Sequence, residues 1–183
     1  AGLGLNRAED VTPTDHLEML SDYLIKLDAD IYLLQEVDRN VRRSERRDQP
    51  AIFAEALGDF HAHYTKAIDL QGGEFGVAIL SRWPIVDARD VLLYKPDYLD
   101  QRDVPEWYSE QRVFQIALID SPFGAIPVGN THLGLTEEQR VNQINEMVET
   151  IEEISVELPW IVGGDLNAEQ DAPEQNARLL EGV

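Results

Sequence analysis

Three short apolar runs constrain this chain most, because each stops abruptly on a polar cluster. They are Ile31-Tyr32-Leu33-Leu34 before Gln35-Glu36, Ile126-Pro127-Val128-Gly129 before Asn130-Thr131-His132, and Trp160-Ile161-Val162 before Gly163-Gly164-Asp165-Leu166-Asn167. Runs this short, bounded by turn residues, read as buried strands. In open α/β sheets, ligands gather outside the carboxyl ends of the strands. Here those ends offer a Glu, a His and an Asp/Asn pair. Such a set can hold a hard cation, activate a water and contact a phosphate.

The rest of the pattern surrounds those strands with helices and further strands. Leu17, Leu20, Leu24 and Leu27 have helical spacing over 15–27, with Thr12 or Thr14 as the cap. A short helix over 51–57 stops at Gly58. Strands are predicted over 31–38, 61–70, 75–81, 85–94, 112–120, 124–133 and 160–165. The turn Gln71-Gly72-Gly73 links two of them, and Pro122-Phe123-Gly124 closes a hairpin. The clearest helix covers 137–154, with Val141, Ile144, Val148 and Ile151 on one face and Arg140 and Gln143 read as surface residues. Residues 95–109, with Pro96 and Pro105, form a loop long enough to suggest a role. A short helix over 174–181 follows the last strand. The 183 residues suit a single domain over 1–183. Strands alternate with helices at both ends and antiparallel pairs lie between, so the fold class is an α/β sandwich with a mixed sheet.

Charge narrows the partners. The chain has a net charge of −20, and its basic residues are twelve Arg and only three Lys (Lys26, Lys66, Lys95). A field of that sign repels polyanions at long range, which counts against a tight, non-specific duplex-DNA binder. It fits either an acidic, well-hydrated surface or a surface that selects small or uncharged substrates. One local exception exists. Arg39, Arg42, Arg43, Arg46 and Arg47 fall within nine residues, just after Glu36. They form either a solvated loop or a phosphate-recognising cluster of guanidinium forks. No apolar stretch approaches the length of a membrane span, and no signal peptide is visible. The chain has no cysteine, which excludes disulfides and thiolate metal sites.

Each polar cluster has a chemical and a plain structural reading. Glu36 is either a carboxylate ligand of Mg²⁺, which takes one or two carboxylates and keeps several waters, or a surface Glu opening a loop. Asp38 is a supporting residue behind Glu36 or a turn residue. Asp165 and Asn167 flank Leu166 and can face the same side. Asp165 can take a proton from a water, with Asn167 orienting it; alternatively the pair is an Asx turn closing a strand. His132 is structural or a hydrogen-bond donor to developing charge. Arg112, Arg43 and Asn130 are the substrate-side candidates, Arg112 as a phosphate clamp. His16, His61 and His63 have no comparable setting.

Five segments together resemble the endonuclease/exonuclease/phosphatase superfamily, which shares the fold of pancreatic deoxyribonuclease and neutral sphingomyelinases. They are LQEVD at 34–38, GGEFGVAILSRWPI at 72–85, EQR at 110–112, NTHL at 130–133 and GGDLNA at 163–168. They run in the family's order across nearly the whole chain. DRNVRRSERRDQ at 38–49 is further similar to a bacterial branch of metal-dependent hydrolases. The resemblance implies a four-layer α/β sandwich. It makes Glu36 the metal ligand, Asp165 the residue that activates or positions the attacking water, Asn167 its orienting partner, and His132 a neighbour of the scissile phosphate. Val77 stands where the branch leads us to expect Asn, which puts one substrate-side contact in question. Family members also begin with a strand bearing an Asn and end with an Asp-His pair. Neither motif occurs here, so a domain lacking its first and last strands is expected.

The expectation is therefore a Mg²⁺-dependent phosphoesterase, Mn²⁺ being an acceptable substitute, that acts as a monomer on a small or lipid-like phosphoester. A nuclease is the alternative within the same chemistry. A non-catalytic domain that retains the fold is the alternative of another class.

Overall fold

The computed structural model describes residues 12–100, 105, 110–154 and 158–168. Helix α1 (Pro13–Leu27) leads into strand β1 (Ile31–Arg39), helix α2 (Gln49–Ala56), and strands β2 (His61–Leu70), β3 (Gly73–Ser81) and β4 (Ile85–Leu92). Strands β5 (Val113–Ser121) and β6 (Gly124–His132), helix α3 (Glu137–Ile154) and strand β7 (Ile161–Asp165) complete it. One sheet has the order β1-β3-β2 and the other β4-β5-β6-β7. The first is antiparallel throughout. The second ends in a parallel β6–β7 pair joined through α3. The sheets are those of the expected mixed sandwich. The expected helix over 174–181 and most of the loop over 101–109 lie outside the described residues.

Three apolar clusters show the layering. Leu17 and Leu24 of α1 and Phe53 and Ala54 of α2 pack with Tyr32 and Leu80 on one face of the first sheet. Ile144, Met147 and Ile151 of α3 pack with Phe114 and Ile116 on the outer face of the second. Ile79, Ala117, Ile119 and Val128 fill the space between the sheets. The order is helix, sheet, sheet, helix, so the sandwich has four layers. No helix among the described residues is long and apolar enough to cross a membrane.

Helix starts follow local chemistry. The Asp48 side chain accepts from the Ala51 N–H and Pro50 sits in the first turn, so α2 begins two residues before the expected start. At α3, Thr136 Oγ1 accepts from the Gln139 N–H, and Gln139 Oε1 accepts from the Thr136 N–H, both at 3.1 Å. This is a reciprocal capping box.

Two helix faces differ from expectation. In α1, Leu17, Ser21 and Leu24 are buried, whereas Leu20 and Leu27 are half exposed. The buried face is centred on Leu17, Ser21 and Leu24, to one side of the leucine stripe, so Leu20 and Leu27 fall at its edge. In α3, Gln143 is not a surface residue but fully buried. Its Oε1 accepts from the Gly134 N–H and its Nε2 donates to the Tyr94 carbonyl, both at 2.8 Å, so it ties two loops to the helix.

Strand β3 carries the tightest backbone packing. Gly76 lies between a bulge in β1, between Leu34 and Val37, and another in β2, between Lys66 and Ile68. A Cβ on Gly76 would lie 1.9 Å from the Thr65 carbonyl oxygen. Gly76→Ala should therefore lower stability by at least about 2 kcal/mol, or roughly 4–8 °C in melting temperature. A melting curve superimposable on that of the native protein would contradict this packing.

Candidate functional site

Glu36 owes its position to the β1 bulge. Leu34 pairs with Ala78 and Val37 with Gly76, so Gln35 and Glu36 together face the single residue Val77. Glu36 takes a left-handed backbone, φ 58°, which costs about 1 kcal/mol in a non-glycine residue. The bulge breaks the strand's alternation. Glu36 is exposed while Val37 and Asp38 behind it are buried. Its carboxylate has no hydrogen bond or ion pair among the described residues. Asp38 is held inside by a two-pronged contact: Arg43 Nε donates to Oδ2 at 2.9 Å and Nη2 to Oδ1 at 2.8 Å. The same guanidinium lies over the Phe75 ring, and its hydrogen bond to Asp38 holds its pKa up.

The second wall is the matched end of β6 and β7. His132 and Asp165 are register partners. His132 Nε2 lies 3.8 Å from Asp165 Oδ2. Gly164 permits this pairing, since a Cβ there would lie 1.9 Å from the Thr131 carbonyl oxygen and its φ is +139°. Just beyond, the Asn167 N–H donates to Asp165 Oδ1 at 2.9 Å, and Asn167 Nδ2 donates to the Leu133 carbonyl at 2.7 Å. The Asx turn is present, and it orients Asp165 through the Asn167 backbone. The Asn167 side chain fastens the end of β7 to the segment after β6.

Arg112 joins the two walls from beneath. It is 6% exposed, and its Nη1 lies 3.2 Å from both His132 Nδ1 and Glu110 Oε2. A guanidinium only donates, so His132 Nδ1 must accept. The neutral ring then carries its proton on Nε2, the nitrogen facing Asp165. Burial lowers the His132 pKa, the Arg112 charge lowers it further, and Asp165 and Glu36 oppose both. His132 is thus a neutral N–H donor aimed into the site. Burial also raises Glu110, with Arg112 opposing and Glu36 reinforcing. Glu36 acts on Arg43, Glu110, Arg112 and His132 alike, and Asp165 acts on the last two. These groups share one electrostatic neighbourhood. Val77 is buried, lining a small cavity beneath Arg112 and His132 together with Ala67, Phe75 and Val113.

The structure thus gathers Glu36, Arg112, His132, Asp165 and Asn167, with Arg43 at the edge and bound to Asp38. It does not bring Asn130 to the surface of the site. Asn130 is fully buried, with its amide between the sheets. Glu110 belongs to the cluster although sequence reasoning passed over it. Its signal was the EQR segment at 110–112, in which only Arg112 was given a role. Glu36 and Asp165 are the carboxylates open to a cation.

Comparison with known proteins agrees with this frame. The model of the Endonuclease/Exonuclease/phosphatase family matches residues 5–179. The chain belongs to that family. No curated protein sequence matches it. Among solved structures, an endonuclease/exonuclease/phosphatase family protein from Bacteroides thetaiotaomicron aligns at 20% identity and TM-score 0.72, over 100% of this chain and 66% of that one. The mannosyl-6-phosphatase Bt3783 of the same organism aligns at 20% identity and TM-score 0.70, over 100% and 67%. Sphingomyelinase C from Streptomyces griseocarneus aligns at 16% identity and TM-score 0.67, over 93% and 62%. These likenesses establish the deoxyribonuclease I-like fold. The chain spans about two-thirds of the length of these proteins, and 46% of the Beutenbergia cavernae family member.

A neutral His132 has a thermodynamic signature. Its native pKa lies below the ordinary 6.5, so the unfolded chain takes up the proton first as pH falls. The His132 contribution to stability is full above 6.5 and is lost as pH drops from there through the lowered native value. His132→Gln should flatten that limb of a plot of stability against pH. Parallel limbs in the two proteins would show that His132 is not held neutral.

Proposed function

We propose that this member of the endonuclease/exonuclease/phosphatase family is a metal-dependent phosphoesterase acting on a small or lipid-like substrate. The observation that carries the reading is the neutral His132 N–H facing Asp165 across 3.8 Å, beside the open Glu36 carboxylate. Donor, base and cation ligand stand together.

The donor set fits Mg²⁺, or Mn²⁺ in its place. No group of three or more His, Cys, Asp or Glu has metal-holding geometry among the described residues. Mg²⁺ needs only one or two carboxylates, since it retains waters and binds substrate phosphate. Glu36 would hold the ion, with Asp165 within the same electrostatic field. The ion would supply positive charge to a phosphate that this acidic protein otherwise repels.

The residues themselves divide the remaining work. Asp165, with Oδ1 occupied by the Asn167 N–H, keeps Oδ2 to orient a water and take its proton. His132 donates Nε2–H to a phosphoryl oxygen as charge develops there. Arg112 holds that tautomer by occupying Nδ1, and Glu110 shares its charge.

Substrate class follows from charge and from the arginine loop. Arg39 is bound to Glu74 and Arg43 to Asp38, which weakens the loop as a track for a polyanion. A duplex nuclease needs several phosphate contacts from Lys and Arg, and the chain carries three Lys. The structural neighbours named for a mannosyl phosphate and for sphingomyelin are consistent with the smaller class.

The test uses the full-length protein with Mg²⁺. Asp165→Ala and Glu36→Ala should each lower hydrolysis of bis-p-nitrophenyl phosphate by about 100-fold or more. Unchanged rates would reject the assignment. In a panel of plasmid DNA, oligoribonucleotide, sphingomyelin and inositol phosphates, the small or lipid substrates should be preferred. Preferential cleavage of plasmid DNA at moderate salt would make the protein a nuclease instead.

A further inference from the structure

We infer that Asn130 is the positioning residue of Glu36: from the opposite sheet, its buried amide locks the β1 bulge that presents the Glu36 carboxylate. A bulge interrupts the ladder and leaves main-chain groups without strand partners. Asn130 Nδ2 adds bonds from the other sheet at its edge. It donates to the Leu34 carbonyl, at the start of the bulge, and to the Ala78 carbonyl, opposite Leu34 on β3, both at 3.1 Å. On its other side, Asn130 Oδ1 accepts from Gln35 Nε2 at 2.7 Å. One side chain from β6 therefore grips the residue before the bulge, the first residue in it and the strand across from it.

The amide's orientation is fixed by a chain of hydrogen bonds. Gln115 Nε2 donates to the His63 carbonyl at 2.9 Å and to Thr65 Oγ1 at 2.8 Å. Thr65 Oγ1 donates onward to Asp90 Oδ1 at 2.6 Å, which His63 Nε2 also contacts. Gln115 thus presents Oε1, not nitrogen, to Asn130 Nδ2 at 3.2 Å. With Gln115 pinned by a carbonyl that can only accept, Asn130 cannot flip its amide without opposing like groups. The lock runs from the β2–β4 surface to Glu36.

This makes a split prediction that a merely buried asparagine would not. Asn130→Asp keeps the shape but replaces the donor by an acceptor, facing two carbonyls. Gln35→Met is milder and removes one grip. Thr131→Val is the control: Thr131 is equally buried, and its hydroxyl donates to the Val113 carbonyl, but it does not touch the bulge. In the full-length protein without metal, NMR couplings should report the positive φ of Glu36 in the native protein and in Thr131→Val. That signature should be lost in Asn130→Asp and weakened in Gln35→Met. Mn²⁺ or Mg²⁺ affinity, measured by titration calorimetry, should fall on the order of 10- to 100-fold in Asn130→Asp, the range of outer supports of a metal ligand, and by less in Gln35→Met.

The metal arm rests on the proposed function, whereas the φ arm does not. If the native protein binds no divalent ion, that reading fails and the φ arm alone decides the lock. Glu36 keeping its positive φ in a folded Asn130→Asp overturns the inference. Should Asn130→Asp not fold, an unmoved Glu36 in Gln35→Met overturns it.

Discussion

The bulge in β1 is the constraint on which the rest of this structure depends. Setting two residues of β1 against Val77 alone gives Glu36 a left-handed backbone and an outward carboxylate. It also reverses the facing of the residues after it, so that Asp38 turns inward and must be neutralised there. Arg43 does that, and this explains why an arginine inside a long basic run ends half committed to the protein itself. On the far side of β3 a second bulge relieves the crowding, and Gly76 is the residue that both irregularities require. The end of one sheet that carries Glu36 is thus shaped by a defect in pairing, held from the other sheet.

A second balance lies beneath it. Arg112 is a buried cation in a protein of net charge −20. Removing a guanidinium from water is costly unless carboxylates and hydrogen bonds replace the water. Glu110 provides the ion pair, and Glu36 and Asp165 add field. In return Arg112 lowers the repulsion among three carboxylates and fixes the His132 tautomer. A lysine could not substitute evenly, because its ammonium offers no rigid planar fork. The site therefore remains acidic at its mouth and basic at its floor, an arrangement suited to a cation above and a phosphate between.

Much of this could be read from the sequence, for identifiable reasons. Strand ends are marked by where apolar runs stop, so Glu36, His132 and Asp165 were visible as candidates; the five segments around them pointed to the family, and the four layers followed from that resemblance. Side-chain direction was less accessible. Asn130 and His132 lie two residues apart on one strand and look alike in sequence, but the Asn130 amide bonds across to the first sheet while His132, at the strand's last position, meets Asp165. Bulges carry no sequence mark beyond Gly76, so the outward turn of Glu36 and the inward turn of Asp38 were not separable. Gln143 reads as polar surface on a helix, yet its amide is what satisfies the loop groups that α3 covers.

Register, finally, connects fold to chemistry. His132 meets Asp165 only because β6 and β7 run parallel with their ends aligned. A parallel pair needs a crossover, and α3 provides it. A slip of one residue along β7 would turn Asp165 away and offer Leu166 or Gly164 instead, since side chains alternate between faces. Two features oppose that slip. Gly164 fits against the Thr131 carbonyl where no Cβ would, so only glycine can occupy that step. Asn167 then closes the end by binding the Leu133 carbonyl, while the Leu133 N–H donates to the Asp165 carbonyl at 2.9 Å. The motif GGDLN is thus a register device. Its glycine sets the phase, its asparagine locks it, and the aspartate between them faces the histidine.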